Sequence, residues 1–429
     1  LRIGIVGMGF AGMRTAMLLE RAGIDVEMFE ARGRPGGRMH CVDEGEGVLY
    51  EAGGEWIDAD HLRVLGLLAE FGCEADVRGH WPQKLIYRNH VTTEHLVWSE
   101  ALEDDLRVEG IARELCQGLR PIPWENTNLE ELDQRTLADF LRENTNSERG
   151  HWWVTSKLRS DEGDDLERIG LLGWLTGYMH YLERDGDVMS AYRLPGGSRV
   201  LAEKIIAKLR GAINFGSVLE RVTQNGDGVL LQFDNGISQV DKVVLTLPPG
   251  CLEHVVFEPA LTVDKRCAIE AGEMGRACKI VWQFDEAWWK NLDWGGSMLC
   301  DGPLQQTWDS SLSEAPLLTA YICGEESVKW GQLGDPVKAG LYELCQLFPA
   351  AKNHFQRGWF HEWNRDPYSL GAFSHLAPGY VLEHLKHISP HAGRVFFAGE
   401  HTSSWIGFLE GALESAERVV REIAESYSK

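Results

Sequence analysis

The stretch Ile3-Gly4-Ile5-Val6-Gly7-Met8-Gly9-Phe10-Ala11-Gly12 decides the fold. An apolar strand runs into a Gly-x-Gly-x-x-Gly turn. A helical stretch follows, and Val26-Glu27-Met28-Phe29-Glu30 reads as a second strand ending in an acid. Strand, glycine turn, helix and acid-terminated strand form the βαβ unit that binds a dinucleotide. Gly7 allows the tight turn, Gly9 lets the backbone approach a pyrophosphate, and Gly12 lets helix and strand pack closely. The first helical amides, Phe10 and Ala11 among them, then face the phosphates together with the positive end of the helix dipole. Glu30 is placed to accept hydrogen bonds from ribose hydroxyls, and its charge would repel a 2′-phosphate.

Working outward, the chain of 429 residues is long enough for two domains. A formal net charge of −23 argues against nucleic acid or an anionic membrane as partner and mildly favours approach of a cation. Nine cysteines carry no C-x-x-C pair or metal-like spacing and read as reduced thiols. No secretory signal pattern and no apolar run long enough to span a bilayer is present, so a cytoplasmic location is expected.

Residues 47–57 read as a short strand closing on paired glycines, and 61–72 as a helix. From about 76 to 190 charges, tryptophans and helical patterns dominate. Asn144-Thr-Asn-Ser-Glu-Arg-Gly and Ser160-Asp-Glu-Gly-Asp-Asp read as solvated polar loops. Strands are expected at Ile213–Val222, Gly228–Phe233 and Lys242–Thr246, with a hairpin turn at Gly226-Asp227-Gly228. The last block, 393–424, reads strand, glycine turn, long helix. Nucleotide-domain texture thus occurs at the start, middle and end, which predicts a discontinuous dinucleotide-binding domain from 1–75, 191–258 and 391–429. A second domain from 76–190 and 259–390 would be inserted between them.

Five segments together resemble the FAD-dependent amine oxidases, the group holding monoamine, polyamine and related L-amino acid oxidases. They are the glycine fingerprint with Glu30, Arg34-Pro35-Gly36-Gly37-Arg38, Glu51-Ala-Gly-Gly-Glu-Trp56, Thr246-Leu-Pro-Pro249, and Phe396-Phe-Ala-Gly-Glu-His-Thr402 through Gly407-Phe-Leu-Glu-Gly-Ala412. The resemblance implies an α/β fold, with a glutathione-reductase-like FAD domain and an inserted α+β substrate domain on a mixed sheet. It further implies cofactor contacts from Ala31 and Arg32 near the adenosine ribose, and from Gly37 and Arg38 at the pyrophosphate. Gly53, Gly54, Glu55 and Trp56 would lie near the flavin ring, Val218 at the adenine edge, and Gly399 and Glu400 at the ribityl chain. The amides of Phe408 and Leu409 would open a helix aimed at the pyrimidine end of the flavin.

Lys279, in Met274-Gly-Arg-Ala-Cys-Lys279-Ile-Val-Trp-Gln-Phe284, matches the lysine that in relatives reaches flavin N5 through a water. Without the resemblance it would pass for a surface strand lysine. Phe373 and Phe408 match the two aromatic walls that hold the substrate amine, where monoamine oxidases carry tyrosines. Ala372 stands where monoamine oxidases attach FAD through cysteine, so non-covalent FAD is expected. Trp174, Tyr178 and Tyr181 are candidates for lining the pocket, though their helical spacing favours a core face, and neither His61 nor His401 has a second ligand at metal spacing.

The implied activity is oxidation of a small-molecule amine to an imine, hydrolysed to a carbonyl product, with oxygen reduced to hydrogen peroxide. An L-amino acid oxidase is the rival. It would need a cation for the substrate carboxylate, and Asp58-Ala-Asp-His-Leu-Arg63 lacks the usual pattern there. The Lys279 strand and the Gly407–Ala412 segment weigh against a flavin desaturase or porphyrinogen-type oxidase. An NAD dehydrogenase leaves the Gly-Gly-Arg and C-terminal segments unexplained, and nothing in the sequence disables flavin chemistry, which disfavours a non-catalytic FAD-binding protein.

Overall fold

Residues Ile3–Val6 are buried without alternation, the pattern of a strand covered on both faces in a parallel sheet. The strand Arg2–Val6 is indeed central to a five-stranded, wholly parallel sheet in the computed structural model. That model describes residues 1–77, 83–88, 90–93, 98–120, 122–182, 189–292 and 294–426. The sheet order is Val395–Phe397, Lys242–Leu245, Arg2–Val6, Asp25–Glu30, Ile213–Phe215. Strands almost four hundred residues apart in sequence are therefore separated by a single neighbour. The helices Phe10–Arg21 and Leu409–Glu425 cover it from one side, sharing a core that includes Ile3, Met13, Phe396 and Leu413. Arg14 ties them by an ion pair to Glu417 at 3.0 Å.

Ile213–Val222 is not one strand. Ile213–Phe215 ends at Gly216, whose φ of +68° turns the chain, and Leu219–Asn225 begins a second, four-stranded sheet. The expected hairpin is present there, with Asn225 opposite Gly228.

A seven-stranded mixed sheet runs Phe355–Glu362, Ala277–Phe284, Leu317–Cys323, Gln306–Asp309, Met298–Cys300, Lys84–Tyr87, His90–Thr93. Its pairs are antiparallel except Met298–Cys300 with Lys84–Tyr87. Helices Ser99–Gln117, Glu148–Glu162 and Leu171–Tyr178 pack around a separate core that includes Val108, Phe140, Val154 and Leu175.

The two polar stretches are not free loops. Ser147 caps the helix Glu148–Glu162 by accepting a hydrogen bond from the Gly150 amide at 2.9 Å. Ser160, Asp161 and Glu162 form its last turn, and Gly163 ends it in the left-handed conformation, φ +71°. Asp164 beyond it is fully buried and bound by Arg276. Among the described residues no helix is long and apolar enough to cross a membrane.

Candidate active site

The glycine turn is as constrained as its spacing suggests. Gly7 has φ +98°, and a Cβ on Gly12 would collide with the Gly7 carbonyl oxygen. Gly9 pairs with Gly36 in an isolated parallel bridge, and a Cβ on Gly9 would meet nothing nearer than Gly37 Cα at 4.0 Å. That open ground before the helix suits a phosphate. The first intrahelical bond is Met13 N–H to Gly9 O, 2.9 Å. The amides of Phe10, Ala11 and Gly12 thus have no helical acceptor, and no side chain caps them. Glu30 is buried. It accepts from the Met8 amide (2.7 Å) and the Arg32 amide (2.9 Å), which fastens the second strand to the turn. A carboxylate has further lone pairs for ribose hydroxyls. The cradle therefore fits a pyrophosphate-bearing dinucleotide.

The neighbouring positions divide. Arg32 reaches Ser369 (2.8 Å) and Asp366, beside Ala31 at the strand end. Gly37, φ +60°, lies against Gly9. The Val218 amide donates to Asp234 Oδ1 (2.9 Å) and its carbonyl accepts from the Asp234 amide (3.0 Å). Only the second lone pair of that carbonyl is left for a base edge. Gly53 and Gly54 have a reason inside the chain. A Cβ on Gly53 would strike the Arg38 carbonyl, and one on Gly54 would meet Met39 Sδ at 2.5 Å.

Beyond the cradle opens a cavity of about 660 Å³. Its walls bring together Arg38, Gly53 to Trp56, Lys279, Phe373 and Phe408 from across the chain. Two buried carboxylates hold this assembly. Glu400 Oε1 accepts from Arg38 Nη1 (2.7 Å), the Ser374 amide (3.2 Å) and Ser374 Oγ (3.0 Å), and Oε2 accepts from the Gly407 amide (2.8 Å). Burial opposes its charge, but Arg38, His401 and these donors outweigh that and hold the carboxyl below its ordinary range. Since Ser374 follows Phe373 and Gly407 precedes Phe408, this one side chain fixes the backbone beside both aromatic walls. Phe408 also holds the N-cap position of the helix Leu409–Glu425 without a side-chain cap, and the helix's first acid, Glu410, turns away to accept from the Arg63 and Val64 amides, both 3.0 Å.

Glu55 is the second carboxylate. It accepts from Arg193 Nη1 (3.1 Å), Trp308 Nε1 (3.0 Å) and Lys279 Nζ (3.2 Å). Lys279 is only 6 % exposed, so it is no surface lysine, and it also donates to Gly53 O (2.8 Å) and Glu51 O (3.1 Å). His361, opposite Lys279 on the next strand, is pushed down to about 4 by burial and then by that ammonium.

The residues that motif reading missed lie on the helical side. Asp161 and Glu162 line the cavity, open to its space yet enclosed by protein. Burial raises Asp161 to about 7 against the pull of Lys157, and raises Glu162 to about 8, with Asp161 adding to the effect. Among the described residues neither accepts a hydrogen bond or forms an ion pair. Gly163 presses on the Phe373 ring, so the acids stand next to that wall. The signal that could have found them is Gly163, a helix-ending glycine that puts both in the last turn. Trp174, Tyr178 and Tyr181 also line the cavity, with Trp174 stacked on Tyr178 at 5.1 Å, although Trp174 belongs to the helical core as well. His180 stacks on Trp405 at 4.2 Å at the same cavity. Asp58, Asp60 and His61 gather within 4.8 Å, with His61 Nδ1 accepting from the Asp58 amide and Asp58 accepting from the Ser190 amide.

A parallel sheet carrying a glycine cradle, joined to a mixed sheet that walls an aromatic cavity, defines a dinucleotide-dependent oxidoreductase architecture. The chain belongs to the flavin-containing amine oxidoreductase family, which it matches over residues 10–424, and its cofactor is FAD. It is 24 % identical to the flavin-containing amine oxidase B of Sus scrofa, covering 99 % of this chain and 86 % of that one. It is 23 % identical to amine oxidase A of Equus caballus, at 99 % and 85 % coverage. Its fold is similar to that of cyclohexylamine oxidase from Brevibacterium oxydans IH-35A, with TM-score 0.90, 21 % identity and 100 % of both chains covered. A putrescine oxidase bound to putrescine gives TM-score 0.90, 19 % identity and 99 % coverage of both chains. The enzyme is thus an amine-oxidising flavoprotein of the α/β class expected.

Proposed function

We propose that the enzyme oxidises the carbon–nitrogen bond of a small amine to an imine, which water converts to a carbonyl product, while molecular oxygen is reduced to hydrogen peroxide. The observation that carries this reading is the charge pattern of the cavity. Each lysine and arginine in its wall already has an acceptor: Glu400 for Arg38, Glu55 for Lys279, Asp105 for Lys157 and the Leu182 carbonyl for Arg113. Among the described residues Asp161 and Glu162 have no ion-pair or hydrogen-bond partner for their carboxylates. Once ionised, these two acids attract an ammonium and repel a substrate carboxylate. Arg63, the cation an amino-acid oxidase would need, lies outside the cavity with Glu410, Glu414 and Glu417. Amine is therefore favoured over amino acid.

Bound FAD supplies the two-electron acceptor. Gly7, Gly9, Phe10, Ala11, Gly12, Glu30, Ala31, Arg32, Gly37 and Arg38 would hold its adenosine and pyrophosphate half, with Val218 at the base. Gly53 to Trp56, Gly399, Glu400, Phe408 and Leu409 would surround the other half. Phe373 and Phe408 confine the amine and exclude water, so the carbon to be oxidised is held rather than found by diffusion. The uncapped start of the helix Leu409–Glu425 favours negative charge placed before it, by roughly 0.3–1 kcal/mol. Lys279 holds a proton and a positive charge at the opposite wall. The segments 1–75, 191–258 and 391–429 would form the cofactor domain, and 76–190 with 259–390 the substrate domain. With Ala372 in place of a cysteine, acid precipitation should release all flavin into the supernatant.

The test is anaerobic mixing of the yellow holoprotein with a panel of amines and amino acids, followed by peroxide assay in air. Bleaching by amines with peroxide release is expected. Bleaching by amino acids alone, or by no compound, sinks the reading.

A further inference from the structure

We infer that Glu55 is a positioning residue that holds the Lys279 ammonium against the Gly-Gly loop and denies its third N–H to any other acceptor. An ammonium has three donors. Here they are taken by Gly53 O at 2.8 Å, Glu51 O at 3.1 Å and Glu55 Oε2 at 3.2 Å. The two carbonyls belong to a fixed stretch. The Ala52 amide bonds His40 O (2.8 Å), the Gly54 amide bonds Arg38 O (3.1 Å), and Gly53 is jammed against that same carbonyl. The Glu55 contact is the longest of the three and the one made by a side chain. Glu55 would also stay satisfied without it, because Arg193 and Trp308 both donate to its carboxylate.

Glu55 and Lys279 are both buried, their side chains 2 % and 7 % exposed, so water screens neither charge. The negative carboxylate therefore tempers the positive charge that Lys279 presents to the cavity, and its removal frees one N–H and unmasks that charge. Trp308 reports on the same arrangement, since Lys279 Nζ sits 5.2 Å from its ring centroid. The inference rests on the proposed placement of the flavin beside Lys279.

The test uses Glu55→Gln, which keeps an acceptor oxygen and loses the charge. Flavin content should be unchanged. The midpoint potential of the bound flavin, measured by equilibration with a reference dye, should move to more positive values. Reoxidation of the dithionite-reduced holoprotein by oxygen should accelerate about tenfold, the weight of roughly one charge-assisted hydrogen bond. In a Lys279→Met background the same substitution should change that rate by no more than about twofold. Equal acceleration in both backgrounds, or none in either, overturns the inference. Should Glu55→Gln fail to accumulate as folded flavoprotein, Glu55→Asp is read by the same pair of rates, because it retains Arg193 but falls one methylene short of Lys279. Dithionite replaces the amine as reductant, so failure here is separate from failure to find an amine substrate.

Discussion

The cofactor cradle and the substrate cavity are built on opposite principles. The cradle uses backbone amides and absent side chains from one continuous stretch, residues 3–38, with Glu30 closing it by two short bonds. The cavity uses side chains drawn from positions 38 to 408, and two buried carboxylates gather them. Recognition by backbone forces particular residues at fixed spacing, so it leaves a local signature. Recognition by side chains is assembled by tertiary contact and leaves almost none.

Glu400→Ala strikes where the two regions meet and should have the largest effect. It leaves Arg38 partly buried without its counter-charge and releases the segments carrying Phe373 and Phe408. A loss of about 3–5 kcal/mol in urea unfolding, with loss of flavin on gel filtration, is expected; an unchanged midpoint would show that the regions are independent. Lys279→Met should leave flavin content intact yet slow reoxidation by about tenfold or more, as stopped flow would show. Identical half-reaction rates would remove Lys279 from the mechanism. Gly163→Ala should cost roughly 1–2 kcal/mol from the left-handed backbone alone. It should also push the Phe373 ring, raising KM for amines without loss of flavin.

Asp161→Asn with Glu162→Gln should weaken amine binding several-fold, roughly the scale of one exposed charge pair. Both acids ionise through about 7 and 8 in the folded protein, above their unfolded values. Amine affinity of the parent should therefore rise across that window, until the amine itself deprotonates, and the double variant should flatten the profile. The stability sign is opposite. The folded state binds these protons more tightly than the unfolded chain, so stability falls as pH rises from about 4 through 8, and the variant should lose that fall in melting scans. Arg63→Ala should change least, at most about 1 kcal/mol of stability and no shift between amines and amino acids. A change in substrate preference would place Arg63 at the cavity after all.

The first strand, its turn and the C-terminal helix were legible because continuous burial and glycine geometry constrain neighbouring residues. The break at Gly216 was not, because Phe215 and Leu219 both favour strands and only the departure to another sheet separates them. Lys279 was legible through family likeness alone, since a lysine in a strand carries no mark of burial. Asp161 and Glu162 were read as part of a polar loop, because polarity was weighed without asking whether a helix ran into Gly163. The partnership of Glu55 with Lys279 spans 224 positions and could not be read from either segment.

The grip of Glu400 has a consequence for how this enzyme can diverge. One carboxylate clamps the Arg38 guanidinium, the turn after Phe373 and the turn before Phe408. The backbone width of the cavity is thus tied to the cofactor clasp, and a loop cannot be moved to admit a bulkier substrate without loosening the flavin. New specificities should arise by exchanging the side chains at 161, 162, 373 and 408 on an unchanged frame.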